Sequence, residues 1–441
     1  MLHRIRSTEP DFRARLEALA NRTSQPTPEL DEQVRRIIAA VRQRGDAAVA
    51  ELTEKLDGKA PTERGGYEVT KQRWDAIARR LDETVAEALQ FAGSRIQMFH
   101  QAQTPSGYTA ERGQLALRVE PLWRVGIYVP GGTAIYPSSV LMTAIPARIA
   151  GVREVIMVSP GVTPETLAAA RIAGVHRVFE IGGAQAIAAL AYGTETVPRV
   201  DKIVGPGNQW VAAAKRQVFG QVDIDSIAGP SEIVIVADET ANPAWVAADL
   251  LAQAEHDVEA RPVLVTTSKK LADDVDRELE KQINGLRREQ IARASVKRNG
   301  LAIVVRSIDQ AIKFVNTYAP EHVQLCVERA TEASYDVRCA GAIFIGSYSP
   351  EAAGDYLAGP NHVLPTGGTA RYASPLGVYD FCKYISVINY GRQALADIHE
   401  DIVRLAEVEG LDAHARSITI RFAARRARTE VLPPDDGGGR G

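Results

Sequence analysis

Cysteine is scarce in this chain: three residues in 441 (Cys326, Cys339 and Cys382), an odd number with no CxxC spacing. Such a set builds no disulfide framework and fits a reducing compartment. Charge of one sign is lacking too. Lys and Arg total 52 against 55 Asp and Glu, for a formal net charge of −3. The cations are spread along the chain rather than gathered in a patch, so no nucleic-acid partner is expected. No apolar run approaches the ~18 residues needed to cross a bilayer. No apolar segment follows the early charges of Met1-Leu2-His3-Arg4-Ile5-Arg6 either. Neither a membrane partner nor a secretory signal is therefore expected, and the reading is of a cytoplasmic protein. What is present is ordinary globular composition, 45% hydrophobic and 24% charged. At this length it suffices for two or three packed cores.

Residues 1 to about 115 read as mostly helical, with apolar residues at three- and four-residue spacing over 28–56 and 71–100. Thr27 before Pro28 predicts an N-cap with proline at the first helical position. From residue 122 the texture changes. Short apolar runs at 125–129, 154–158, 178–181 and 202–204 alternate with helical patterns, and three of them lead into glycine-rich turns. This alternation predicts parallel βαβ units, a doubly wound α/β domain over 122–230. A second α/β core follows, with apolar runs at 232–237, 262–266, 301–305, 323–327 and 342–345 and a helix capped by Asn242 ahead of Pro243. From Gly377 the chain is mixed, then helical over 392–408. It ends in a Pro-Asp-Gly tail, 433–441, too polar to pack.

A strand, a glycine turn and a helix N-terminus present backbone N–H groups and a positive dipole end to an anion. Three such turns in one domain suit a dinucleotide, yet none completes G-x-G-x-x-G. Gly205-Pro206-Gly207-Asn208-Gln209-Trp210 lacks the third glycine, and each turn alone reads equally well as a plain βα connection. Gln253 and His256, in Gln253-Ala254-Glu255-His256, share a helical face at i, i+3 and make half of a metal site, or else a surface histidine. Asp355 and His414 can supply the other half. Two imidazoles and two oxygens suit zinc, although the spacing cannot bring them together by itself. Glu321-His322 precedes a buried strand. His322 there suits a general base and acid, and Glu321 a group that activates water; the plain alternative is a solvent-exposed pair at a strand entry. Cys326 lies within an apolar strand, where a buried thiol is the default, so covalent cysteine catalysis is not expected.

Taken together, the strings resemble one family, histidinol dehydrogenase. The match runs through Tyr128-Val129-Pro130-Gly131-Gly132, Gly183-Ala184-Gln185-Ala186-Ile187-Ala188, Val200-Asp201-Lys202-Ile203, Gly205-Pro206-Gly207-Asn208 and Ala228-Gly229-Pro230-Ser231-Glu232. It continues through Gln253-Ala254-Glu255-His256, Ala319-Pro320-Glu321-His322, Gly354-Asp355, Gly359-Pro360-Asn361-His362-Val363-Leu364-Pro365-Thr366 and Glu409-Gly410-Leu411. In order, these cover about residues 30 to 420. The resemblance implies that Gln253, His256, Asp355 and His414 ligate one zinc ion per subunit, and that Glu321 and His322 are catalytic. It implies NAD contacts at Tyr128, Gln185 and Asn208. Substrate contacts are implied at Ser231, His362 and Glu409, together with Gln253, His256, His322, Asp355 and His414.

The implied fold is two incomplete Rossmann-like parallel-sheet domains. Their expected boundaries are an N-terminal arm (1–25), a helical part of the main domain (26–121), an NAD-binding domain (122–230), a second α/β domain with the catalytic residues (231–376) and a C-terminal dimerisation arm (377–441). The implied partner is a second copy, in an intertwined homodimer whose subunits share each active site. The implied reaction is the four-electron oxidation of L-histidinol to L-histidine through L-histidinaldehyde with two NAD+, the last step of histidine biosynthesis. The alternative within this scaffold is oxidation of another small hydroxylated compound, such as a sulfonated diol. A zinc hydrolase is disfavoured because it has no use for a dinucleotide cradle, and so is a non-catalytic binding protein.

Overall fold

The computed structural model describes residues 1–22, 27–60, 66–131 and 135–423. Gly132 and the Pro-Asp-Gly tail, both singled out above, lie outside them. Two compact units are present: Met1–Pro105 with Glu120–Lys383, and Ser106–Val119 with Tyr384–Gly441.

The chain opens with β1 (His3–Arg6); β2 (Tyr108–Ala110) and β3 (Leu115–Pro121) then pair antiparallel. Next come β4 (Arg124–Tyr128), β5 (Glu154–Val158), β6 (Arg177–Phe179), β7 (Lys202–Val204) and β8 (Asp223–Ile224), which build one parallel sheet in the order β6-β5-β4-β7-β8. β9 (Glu232–Ala237), β10 (Arg261–Thr266), β11 (Leu301–Val304), β12 (His322–Cys326) and β13 (Ala342–Ile345) build the other, in the order β1-β11-β10-β9-β12-β13. Last, β14 (Cys382–Ile388) pairs beside β3 in a three-stranded sheet. Apart from the edge strand β1, both parallel sheets wind outward from their first strand, then return to its other side. That is the Rossmann-like order, with a switch point at β4/β7 and another at β9/β12.

Alternation explains the burial. Val125 and Ile127 of β4 enter one core and Tyr128 the opposite one, and helices cover both faces. The strands therefore read as continuous apolar runs, and each fully buried Val, Ile or Leu contributes about 1.5–3 kcal/mol. Thr27 caps the Pro28–Arg44 helix by accepting from the Leu30 N–H, and Asn242 caps Pro243–Ala254 by accepting from Ala244 N–H.

Four expectations need correction. Residues 3–6, within a stretch expected to be mostly helical, form β1, the edge strand beside β11, with His3 opposite Leu301. Four residues of which only Ile5 is buried carry too little pattern to announce a strand. The 28–56 stretch is two helices, Pro28–Arg44 and Asp46–Asp57, broken at Gly45, whose φ of +54° stops the first helix while the apolar spacing continues. The 71–100 stretch divides likewise into Lys71–Ala78 and Glu83–Gln101, the second capped by Asp82. The 392–408 stretch divides into Arg392–Ala396 and His399–Val408.

The second unit pairs its strand segments with helices His399–Val408 and Asp412–Thr419, which pack on each other across Gly410. It leaves large apolar side chains in solvent, among them Ile388, Leu405, Val408 and Ile420. Among the described residues no helix is long and apolar enough to cross a membrane.

Candidate active site

At the amino ends of β9 and β12, one backbone residue holds two reactive side chains. The N–H of Glu232 donates to Glu321 Oε2 at 2.9 Å, and its carbonyl lies 3.0 Å from His322 Nδ1. A carbonyl only accepts, so Nδ1 carries the ring proton and Nε2 keeps its lone pair. Glu321 and His322 are 6% and 4% exposed, which excludes the solvent-exposed strand-entry pair. Burial holds the Glu321 carboxyl well above the usual range, and the negative charges of Glu232 and Asp355 reinforce it against the Glu232 N–H. Burial pushes the His322 imidazole down to about 3, which leaves it neutral. The pair starts β12 rather than ending it, opposite the carboxyl edge where open α/β sheets ordinarily bind ligands.

A second group of side chains converges beside it. His256 follows directly on the Pro243–Ala254 helix, its N–H bonded to the Gln253 carbonyl at 3.2 Å. Asp355 lies on the short Glu351–Tyr356 helix, with Oδ2 3.9 Å from His256 Nε2. Glu351, one turn earlier on the same face, completes a set with His256 and Asp355 in which the possible ligand atoms all lie within 4.8 Å of one another. Glu351 Oε1 is also 3.5 Å from His322 Nδ1.

Two of these groups have no hydrogen-bond partner among the described residues. Gln253 is fully buried with both polar side-chain atoms unbonded, and Glu351 is 2% exposed with both carboxylate oxygens unbonded. Orphaned donors and acceptors at such depth are costly unless a ligand satisfies them. Burial raises both the Glu351 and Asp355 carboxyls and lowers His256, and for Glu351 the neighbouring carboxylates add to the effect. An imidazole, carboxylates and an amide oxygen are a nitrogen-and-oxygen donor set of the kind zinc accepts.

His362 links this group to the other sheet. Its Nδ1 donates to the Asp355 carbonyl at 3.0 Å, and its Nε2 lies 3.3 Å from Ser139 Oγ on the Pro137–Ala150 helix that follows β4. Both ring nitrogens are thus engaged, and burial brings this ring down to about 4. Asn361 donates to the Met142 carbonyl of that same helix at 2.7 Å. Ser231 directly precedes Glu232, in a loop tied down by the Gly229 N–H to Thr366 Oγ1 at 2.6 Å.

Over the carboxyl edge of the first sheet, the glycine turns approach one another. Gly205, at φ +112°, would place a Cβ 2.2 Å from the Tyr128 carbonyl oxygen, so the turns after β4 and β7 meet only because this residue has none. The Tyr128 hydroxyl accepts from Gly183 N–H at 3.2 Å, and burial pushes its phenol up to about 12. Gln185 is fully buried with Oε1 unbonded, while its amide donates to Asp57 at 3.3 Å. Asn208 spends its side-chain oxygen capping the Gln209–Val218 helix. The turns bracket the β4/β7 switch point, the kind of crevice at which open α/β sheets ordinarily bind ligands.

Of the residues singled out in the sequence, the first unit gathers His256, Asp355, His362, Glu321 and His322, with Gln253 one turn before His256 and Ser231 beside Glu232. Glu409 and His414 belong to the second unit, exposed around the turn between its helices His399–Val408 and Asp412–Thr419. Cys326 is buried in β12 with its thiol raised to about 12, mainly by burial. The sequence reading omits Glu351 and Glu232. The i, i+4 spacing of Glu351 to Asp355 points to the first, and an acidic residue opening an otherwise apolar strand points to the second.

The family model of histidinol dehydrogenase matches residues 20–422. The histidinol dehydrogenase of Syntrophotalea carbinolica is 50% identical over 429 residues, 96% of this chain and 99% of that one. That of Acinetobacter baylyi is 48% identical, with coverage of 96% and 100%. The crystal structure of histidinol dehydrogenase from Elizabethkingia anophelis shares the fold at a TM-score of 0.89 and 34% identity, over 96% of this chain and 98% of that one. By the extent of that match and by relatives of nearly its own length, this chain belongs to the histidinol dehydrogenase family.

Proposed function

We propose that the chain oxidises L-histidinol to L-histidine through L-histidinaldehyde, with two NAD+ consumed and one zinc ion held per subunit, as the last step of histidine biosynthesis. The observation that carries this reading is the Glu321–His322 pair, locked by one backbone residue beside buried side chains that lack partners. Gln253, His256 and Asp355 would hold the metal, and Tyr128, Gln185 and Asn208 would line the nucleotide crevice. When bound, NAD+ supplies the hydride acceptor, and zinc supplies an anchor that orients the substrate's imidazole and amine.

The residues divide the remaining work. His322 Nε2, free because Nδ1 is committed to a carbonyl, takes the proton of the substrate hydroxyl in the first oxidation. Glu321, a carboxyl made more basic by burial, draws a proton from the water that adds to the aldehyde. In that addition His322 returns its proton to the aldehyde oxygen, and it is then free to take the hydroxyl proton again when the hydrated aldehyde is oxidised. Ser231 and His322 contact the substrate. His362 serves by holding the Asp355 carbonyl, and through it the end of the ligand helix. Burial of the pair keeps the reactive aldehyde from bulk water.

The chain acts as a homodimer in this proposal, with His414 and Glu409 of each second unit completing the partner's site. Two features support it: both residues are exposed in the single chain, and the unit that carries them exposes many apolar side chains. The direct test is to supply histidinol and count NADH per molecule consumed. Two equivalents are expected, and a single equivalent ending at the aldehyde would overturn the four-electron reading.

A further inference from the structure

Behind Glu232 stands an arginine from the N-terminal segment. Arg22 Nε donates to Glu232 Oε1 at 2.5 Å, and Nη2 donates to the other carboxylate oxygen. Both side chains are almost fully buried, at 4% and 1% exposure. The remaining guanidinium donor, Nη1, reaches the carbonyl of Tyr318 at 2.7 Å, and the guanidinium lies over the Tyr318 ring 3.3 Å from its centroid. A planar fork that bonds a carboxylate, caps a carbonyl and stacks on an aromatic face is geometry that lysine cannot reproduce.

The two residues it grips flank the reacting pair. Glu232 opens β9, and its backbone binds Glu321 on one side and His322 on the other. Tyr318 ends the helix Ile308–Tyr318, three residues before Glu321. Between them Ala319 turns the chain at a φ of +51°, a left-handed conformation that a side chain adopts only when its surroundings enforce it. We propose that Arg22 is a positioning residue for catalysis: by pinning Glu232 and Tyr318 together, it fixes the backbone that aims the Glu321 carboxylate and sets the His322 tautomer. Arg22 touches neither substrate nor cofactor in this role. The inference rests on reading Glu321 and His322 as the reacting pair, and it gives residues 1–22 a part in catalysis besides the edge strand β1.

Removing Arg22 alone strands a buried carboxylate, so two gentler variants make the test. Arg22→Lys keeps the charge without the fork, and the Arg22→Met/Glu232→Met double variant removes both charges at similar volume. Two readouts apply to each. The first is steady-state kinetics with histidinol and NAD+. A positioning role predicts that kcat falls about 100-fold, as for a misplacement near 1 Å, while KM for NAD+ and zinc content hold. The second needs no turnover: spectra of 15N-histidine-labelled protein resolve only eight imidazoles, and His322→Asn identifies the His322 signal. Wild type is expected to show the Nδ1-protonated tautomer, and both variants a mixture.

A variant that retains wild-type kcat and the locked tautomer overturns the proposal. So does one that loses kcat with the tautomer intact, or loses zinc and NAD+ affinity in parallel with kcat. If wild type shows the locked tautomer, released in the variants, yet reduces no NAD+ with histidinol, the substrate assignment fails and the clamp stands.

Discussion

Cys326 is a nucleophile that the fold withdraws from use. Its thiol sits inside β12, raised by burial to about 12, so it stays protonated at any pH where the protein works. Cys326→Ala should therefore keep turnover close to wild type; a folded but inactive variant would restore a thiol route for the aldehyde. His256 is the opposite case, a ring held 3.9 Å from Asp355 beside a buried Gln253 with no partner. His256→Ala should leave zinc, measured by elemental analysis after dialysis, well below one equivalent per subunit. Full occupancy would remove it from the ligand set. At this scale, legibility follows distance along the chain. Gln253 and His256 lie one helical turn apart, and Glu321 and His322 are adjacent, so each couple is visible as a couple. Arg22 and Glu232 stand 210 positions apart, and no local pattern joins an arginine in a helical segment to an acidic strand entry.

Elements are legible where periodicity and turn chemistry agree. β4, β5, β7 and β9 are short runs carried by Val and Ile, and the observed strands fall on them with shifts of a residue or less at the ends. Helix breaks are harder, because apolar spacing can run through a bend: Gly45 turns the chain while the buried stripe resumes at Ala48. Gly205 shows what one such residue can fix. Its φ of +112° and its approach to the Tyr128 carbonyl leave no room for a Cβ. Gly205→Ala should cost about 1–3 kcal/mol of stability, and more if the clash cannot relax. NAD+ affinity, read by calorimetry, should fall as the turns after β4 and β7 separate. Unchanged affinity with unchanged melting would show that these turns do not form the nucleotide crevice.

For the whole molecule, the winding order of both sheets follows from the alternation of strand and helix, since crossovers between parallel strands are right-handed and short. The attachment of β1 to β11 does not follow, because that pairing joins residues almost 300 positions apart. Glu409 and His414 lie exposed in the second unit. If the dimer shares its sites, His256→Ala and His414→Ala should each be inactive alone, yet recover when unfolded together and refolded. Mixed dimers hold one site with both residues intact, so activity should return to about a quarter of wild type. Mixtures as inactive as their parents would place each complete site within one subunit.

In the proposed reaction Glu321 and His322 have different tasks while sharing the backbone of Glu232. Single-turnover rates of Glu321→Gln, measured separately from histidinol and from histidinaldehyde, separate those tasks. Oxidation of the alcohol should stay within about threefold of wild type, whereas oxidation of the aldehyde should fall by about 100-fold or more, the usual contribution of a positioned base. Equal losses in both steps would contradict the division of labour drawn from this geometry.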